Sequence, residues 1–184
     1  MTTRTATAPD GAAIPDPHPQ APAPQTELPP HYRDCFGCGD RHATGLHLHV
    51  RTGEGLAVDT SFTVADTHQG AGGLAHGGII ATAIDESLGY LMWLVGTPAV
   101  TSRLEVDYLR PVPVGSTLAI AARVTGVDGR RIYTEAVGRI DGQDAVRARG
   151  LFVTVTPEHF TTHGWPDQGI VSDEAHRLWN PYNP

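Results

Sequence analysis

Lysine is absent from the 184-residue sequence, and all thirteen basic residues are arginine. Schiff-base chemistry and any lysine base are thereby excluded. Asparagine occurs only at Asn180 and Asn183, so the chain before its C-terminus holds no Asn amide to polarise a carbonyl. Two cysteines, Cys35 and Cys38, are too few for a disulfide framework. No apolar run approaches the length of a membrane span, and no hydrophobic signal core opens the chain. A soluble cytoplasmic protein with no membrane partner is therefore expected. The formal net charge of −7 argues against a nucleic-acid partner, which would need a broad basic field. A local Arg patch for an anionic ligand is still compatible with that charge.

What is present falls into three parts. Residues 1–31 are rich in Pro and Ala, with eight prolines from Pro9 to Pro30. That composition buries too little apolar area to offset its ordering entropy, and predicts a disordered tail. Residues 32–156 form the expected domain, and 157–184 a C-terminal extension with Trp165 and Trp179 but no clear period. A hydrophobic share of 40% suffices for one core in a domain of this size.

Within the domain, period-2 alternation dominates. Leu56, Val58, Thr60, Phe62 and Val64 share one face, as do Leu104, Val106 and Tyr108, and again Leu118, Ile120, Ala122 and Val124. Asp128-Gly129 and Asp141-Gly142 read as hairpin turns. The stretch GLHLHVRT reads as a shorter first strand. One long helix is predicted over about Gly78–Val95, with Ile80, Ile84, Leu88, Leu91 and Val95 on one side. The expected fold class is α+β: an antiparallel sheet curling round one central helix.

Two features of GGLAHGGIIATAIDESLG (72–89) point to chemistry. His76-Gly77-Gly78 stands where the helix begins, and the first N–H groups of a helix lack internal partners. Glycine lets another group approach them, so this start can hold an anion or a developing oxyanion. A plain Gly-rich turn feeding a helix would look the same. Asp85 has only small neighbours at helical spacing, Ala81, Thr82 and Gly89, and so stands in a slot. An exposed helix acid is the bland alternative. Gly77 and Asp85 are eight residues apart, roughly 12 Å along a helix at about 1.5 Å per residue. They can act on one carbonyl only across a dimer, in paired composite sites.

The segment AHGGIIATAIDESLGY resembles the H-G-G…D/E signature of hotdog-fold acyl-CoA thioesterases, above all the phenylacetate-pathway (PaaI-type) branch and its mammalian acyl-CoA relatives. CFGCGDRHATGLHL is similar to the C-F-x-C-G-x-x-N-P-x-G-L entry of many such proteins, with His42-Ala43 in place of Asn-Pro. TSRLEVDYLRPVPVGSTL is similar to the family's strand ending in R-P-x-P-x-G. The likeness spans about residues 32–156 in the family's order.

The resemblance implies a thioesterase acting on an acyl-CoA or an acyl-carrier protein, working as a homodimer or homotetramer. Coenzyme A enters as part of the substrate and no separate cofactor is expected. It implies Asp85 as nucleophile or general base, and Gly77, with Gly78 beside it, as oxyanion donor. His76 would position the thioester, and Thr101, with Ser102 as fallback, would orient water. A hotdog dehydratase or isomerase, for which His68 is a weak candidate, and a non-catalytic acyl-binding protein are the alternatives. Arg103, Arg110, Arg130 and Arg131 are candidates for a coenzyme A phosphate patch, with ordinary surface charge as the alternative. Tyr90, Met92 and Trp93 are candidates for the floor of an acyl pocket, with core packing as the alternative. One C-x-x-C with His42, His47 and His49 nearby falls short of the usual two ligand pairs, so no metal is expected.

Overall fold

The structure is a computed structural model and describes residues 5–163. In chain order it contains β1 (Glu27–Leu28), β2 (His49–Thr52), β3 (Ala57–Thr63), β4 (Gln69–Ala71), β5 (Leu74–Ala75), α1 (Gly77–Gly89) and α2 (Leu91–Val95). These are followed by β6 (Ala99–Tyr108), β7 (Thr117–Asp128), β8 (Arg131–Ile140), β9 (Gln143–Thr154) and α3 (Pro157–His163). Residues 164–184, with Trp165 and Trp179, lie outside the described residues.

Alternation builds the sheet, because every second side chain of a strand shares a face. Leu56, Val58, Thr60, Phe62 and Val64 are all buried, and so are Leu118, Ile120, Ala122 and Val124. The seven-stranded sheet runs β1-β2-β3-β7-β8-β9-β6, with every neighbouring pair antiparallel. Val58 pairs with Ala122, Ala122 with Ala136, and Ala136 with Ala148, which carries one small-residue row across four strands. The predicted Asp141-Gly142 turn has both residues at positive φ (50° and 77°), the geometry of a two-residue hairpin loop.

The sheet curls round α1, whose Ile80, Ala83, Ile84, Ser87 and Leu88 are buried. Gly150, at mid-strand in β9, makes room for this helix. A Cβ there would stand 2.6 Å from Thr134 Oγ1 and 2.9 Å from Leu88 Cδ1. The predicted helix is thus present but divided at Tyr90, and α2 ends at Gly96 in the left-handed region. Over Gly77–Val95 its mean hydropathy of 1.3 makes it long and apolar enough to cross a membrane by composition, contrary to the expectation that no apolar run approaches that length. Its apolar side is spent on the protein's own core.

Residues 5–31 depart from the expected disordered tail. They run over the domain: Val127 N–H donates to Ala13 O (2.7 Å), His18 N–H to Leu94 O (2.8 Å), and Gln25 N–H to Thr52 O (2.8 Å). The Thr52 hydroxyl donates to Ala23 O (2.6 Å) and the buried Tyr90 hydroxyl to Pro29 O (3.1 Å). Ala6 packs with Tyr133 and Leu151. Composition misleads here because proline removes N–H donors but leaves carbonyl acceptors, and its fixed φ lowers the entropy lost on docking.

Leu88 has no exposed surface and faces Gly150. Leu88→Ala is expected to lower the unfolding free energy by about 2–5 kcal/mol, read from urea denaturation.

Candidate active site

His76 caps α1: its Nδ1 accepts the Gly78 N–H at 2.9 Å, and its carbonyl accepts from Ile79 and Ile80. That leaves the Gly77 N–H as the helix-start donor with no partner among the described residues. The Tyr108 hydroxyl donates to Gly77 O at 2.8 Å and fixes this corner against β6. The expected helix-start feature is therefore present, but His76 already holds the Gly78 N–H.

Asp85 lies two turns further along α1, half-buried, and accepts a hydrogen bond from the Thr101 hydroxyl at 3.0 Å. Burial raises the Asp85 carboxyl above the ordinary carboxylate range. The Thr101 hydrogen bond opposes this, and the nearby charges of Glu86 and Cys35 add to it. Thr101 reaches the acid because of a β-bulge. Thr101 pairs with Phe152 and Arg103 with Leu151, so Ser102 is the extra residue. Below the bulge the even-numbered Leu104 and Val106 pack against the core; above it the odd-numbered Ala99 does, and Thr101, on the same face but exposed, reaches Asp85. Thr101, and not the fallback Ser102, is thus the hydroxyl on the acid.

Asp85 and Thr101 open onto a cavity of about 250 Å³. Met92, Trp93, Pro98, Val100 and Phe152 give it apolar walls, and Gly89 leaves its floor open beside the acid. Of the expected pocket aromatics, Trp93 lines the cavity, whereas Tyr90 does not. Tyr90 is packed inside the core, stacked on Trp93 and edge-on to His31, and burial pushes its phenol up. Phe152 was missed by sequence reading. Its signal lies in register alone, as the strand partner of Thr101.

The arginines do not assemble into one patch. Arg103 pairs with Glu105 (2.6 Å) and Arg110 donates to Gln143 (2.6 Å). Arg130 donates to Thr154 O and, with Arg131, borders a separate groove at the β7–β8 turn. The histidines after C-x-x-C also disperse: His42 packs on Phe36 and His49 pairs with Glu27. Cys35 and Cys38 instead meet His31 and Glu86, behind the cavity wall. Burial alone would lower the His31 imidazole, but Cys35 and Glu86 outweigh it and raise it to about 10. Contact with Cys38, helped by His31, brings the Cys35 thiol down to about 3.

An antiparallel sheet wrapped round one long helix, with an acid on that helix facing a cavity at the sheet, defines the hotdog class. Residues 72–146 match the family model of the thioesterase superfamily. The chain is 34% identical over 96 residues to the acyl-coenzyme A thioesterase THEM4 of Bos taurus, covering 51% of this chain and 39% of that one. It therefore spans about two-fifths of the length of this curated relative. The crystal structure of a thioesterase superfamily protein matches with a TM-score of 0.62 and 31% identity, over 66% of this chain and 63% of that chain. The Escherichia coli PaaI protein from the phenylacetic acid degradation operon shares the fold at a TM-score of 0.58 and 21% identity, over 62% and 83% of the two chains.

A carboxyl held above its unfolded value binds its proton more tightly in the folded state. Its contribution to stability is full in acid and is lost as pH rises through the folded pKa. Asp85→Asn is accordingly expected to raise the Tm at about pH 7, with the gain shrinking towards zero near pH 3.5, measured by thermal unfolding at both values.

Proposed function

We propose that this chain is a thioesterase that hydrolyses an acyl-CoA, with Asp85 as base or nucleophile. The observation that carries the reading is the half-buried Asp85 carboxylate, held by Thr101 at 3.0 Å on the wall of an apolar cavity. Burial makes the carboxylate a stronger base, and the Thr101 hydroxyl keeps it oriented. In the general-base form, Asp85 takes a proton from water as the oxygen attacks the thioester carbon. The C–S bond then breaks and the proton passes to the departing thiolate. In the nucleophilic form, the carboxylate itself displaces the thiolate and water cleaves the resulting anhydride.

The oxyanion donor in this reading is the Gly77 N–H of a second copy, because roughly 12 Å of helix separates Gly77 from Asp85 within one chain. A homodimer is the minimum that this requires, and a homotetramer would repeat the same pair. Two features support association: among the described residues β6 pairs only with β9, which leaves its other edge open, and Tyr108 and Leu109 beside it are exposed. The name of the bovine relative favours coenzyme A over a carrier protein as the acyl carrier. Met92, Trp93 and Phe152 would hold the acyl chain, and Arg103 or Arg110 would meet the phosphates only after leaving Glu105 or Gln143.

The dehydratase reading gains nothing from His68, whose Nδ1 accepts the Ala65 N–H at 3.0 Å and whose ring packs on Phe62. Localisation is proposed as cytoplasmic on composition alone.

The test is thiol release from a panel of short, medium, long and aromatic acyl-CoAs. Asp85→Asn is expected to lower kcat by about 10²–10⁴-fold with the fold intact. Turnover that survives this change would rule out Asp85, and turnover by neither protein would move the proposal to a carrier-protein substrate. Thr101→Ala removes a hydrogen bond that favours the charged acid, so the acidic limb of kcat/KM should move to higher pH. A pH–rate profile of the two proteins measures that shift.

A further inference from the structure

Two segments 51 residues apart in sequence bring four metal-ligating side chains to one point. His31, Cys35 and Cys38 come from the loop before β2, and Glu86 comes from α1; their donor atoms all lie within 4.8 Å of one another. Cys38 Sγ lies 3.2 Å from His31 Nδ1, His31 Nδ1 lies 3.0 Å from Glu86 Oε1, and Cys35 Sγ lies 3.4 Å from Glu86 Oε2. An ion bound tetrahedrally at about 2.0–2.3 Å from its ligands sets ligand–ligand edges of roughly 3.3–3.8 Å. The two distances that share His31 Nδ1, to Cys38 Sγ and to Glu86 Oε1, are close to the edges of such a shell, slightly contracted, and Cys35 approaches the other Glu86 oxygen.

Glu86 Oε1 is buried and accepts no hydrogen bond, although His31 Nδ1 is at 3.0 Å. A cation shared by His31 Nδ1 and this oxygen would satisfy a buried acceptor that the imidazole alone leaves without a hydrogen bond. The loop is built to hold this arrangement. The Gly37 N–H donates to Cys35 Sγ at 3.3 Å, a bond that orients a ligating thiolate. A Cβ at Gly37 would run into the Glu86 carboxylate, and a Cβ at Gly39 into the backbone of Arg33 and Cys35.

We propose that His31, Cys35, Cys38 and Glu86 form a structural zinc site. Two thiolates and an imidazole suit zinc, and they exclude calcium and magnesium, which take oxygen ligands. Four protein ligands close the shell, so the ion does not meet substrate. Its work is to fasten the 31–38 loop to α1 at the residue following Asp85, where His31 and Glu86 form part of the cavity wall. The single C-x-x-C is completed by residues that only the fold brings together, and none of His42, His47 and His49 takes part.

The proposal does not depend on the thioesterase reading, and its test does not use turnover. Full-length protein purified under reducing conditions should carry about one zinc per chain by mass spectrometric metal analysis. Cobalt exchanged for it should show the thiolate-to-cobalt absorption of a tetrahedral site. Both thiols should resist a thiol reagent until a chelator is added. Glu86→Gln, which keeps the shape of the side chain, should lose zinc to a chromophoric chelator at a concentration that leaves the wild-type ion in place. Cys35→Ser/Cys38→Ser should retain none. Protein that neither carries zinc nor takes it up from an equimolar solution, or that carries a Cys35–Cys38 disulfide when freshly purified, would overturn the proposal. So would a double variant that keeps its full zinc content.

Discussion

The seating of α1 in the curl of the sheet is the contact on which the rest of the structure depends. Ile84 and Leu88 have no exposed surface, and Gly150 gives up its side chain so that Leu88 can lie against β9. Once that face is fixed, the position of every other residue on the helix is set by 100° steps. Gly77 ends up against Tyr108, Asp85 turns to the cavity, and Glu86 turns to the loop that carries the cysteines. Burial of hydrocarbon thus does the aiming, and the polar groups are aimed by it.

Asp85 and Glu86 show how sharply adjacent positions differ. One carboxylate meets a hydroxyl at the edge of an open cavity and is made more basic by its surroundings. The next is almost enclosed, set among sulfur and imidazole. The second also bears on the first, since the Glu86 charge contributes to the raised Asp85 carboxyl. Anything that offsets negative charge at Glu86 would therefore make Asp85 a weaker base, so the two carboxylates are electrostatically linked through one peptide unit.

Much of this was legible in the residues. Period-2 patterns at 56–64 and 118–124 report real buried faces, because one side of those strands meets only the core. Asp85 was legible through its small neighbours, and Thr101 only through a family resemblance, since no local pattern reveals a bulge at Ser102. The N-terminal segment was not legible. Its docking rests on carbonyls such as Ala13 O and Pro29 O, which composition does not register. The Cys–His–Glu cluster escaped for a different reason: spacing rules look for ligands close in sequence, and here a helix residue from deep in the chain completes the set. The arginines do not gather into one patch, and nearby Glu105 and Gln143 hold Arg103 and Arg110.

The bulge at Ser102 carries one more consequence. Because a strand alternates its faces, the one added residue decides which side chain above it looks inward. The acid's partner is thus specified by counting as much as by chemistry. A chain one residue shorter at this point would keep its threonine and lose its aim, while an aligned comparison of residue types would register a single gap. Within this fold, strand length between Thr101 and Leu104 is as informative about function as the identity of any residue in it.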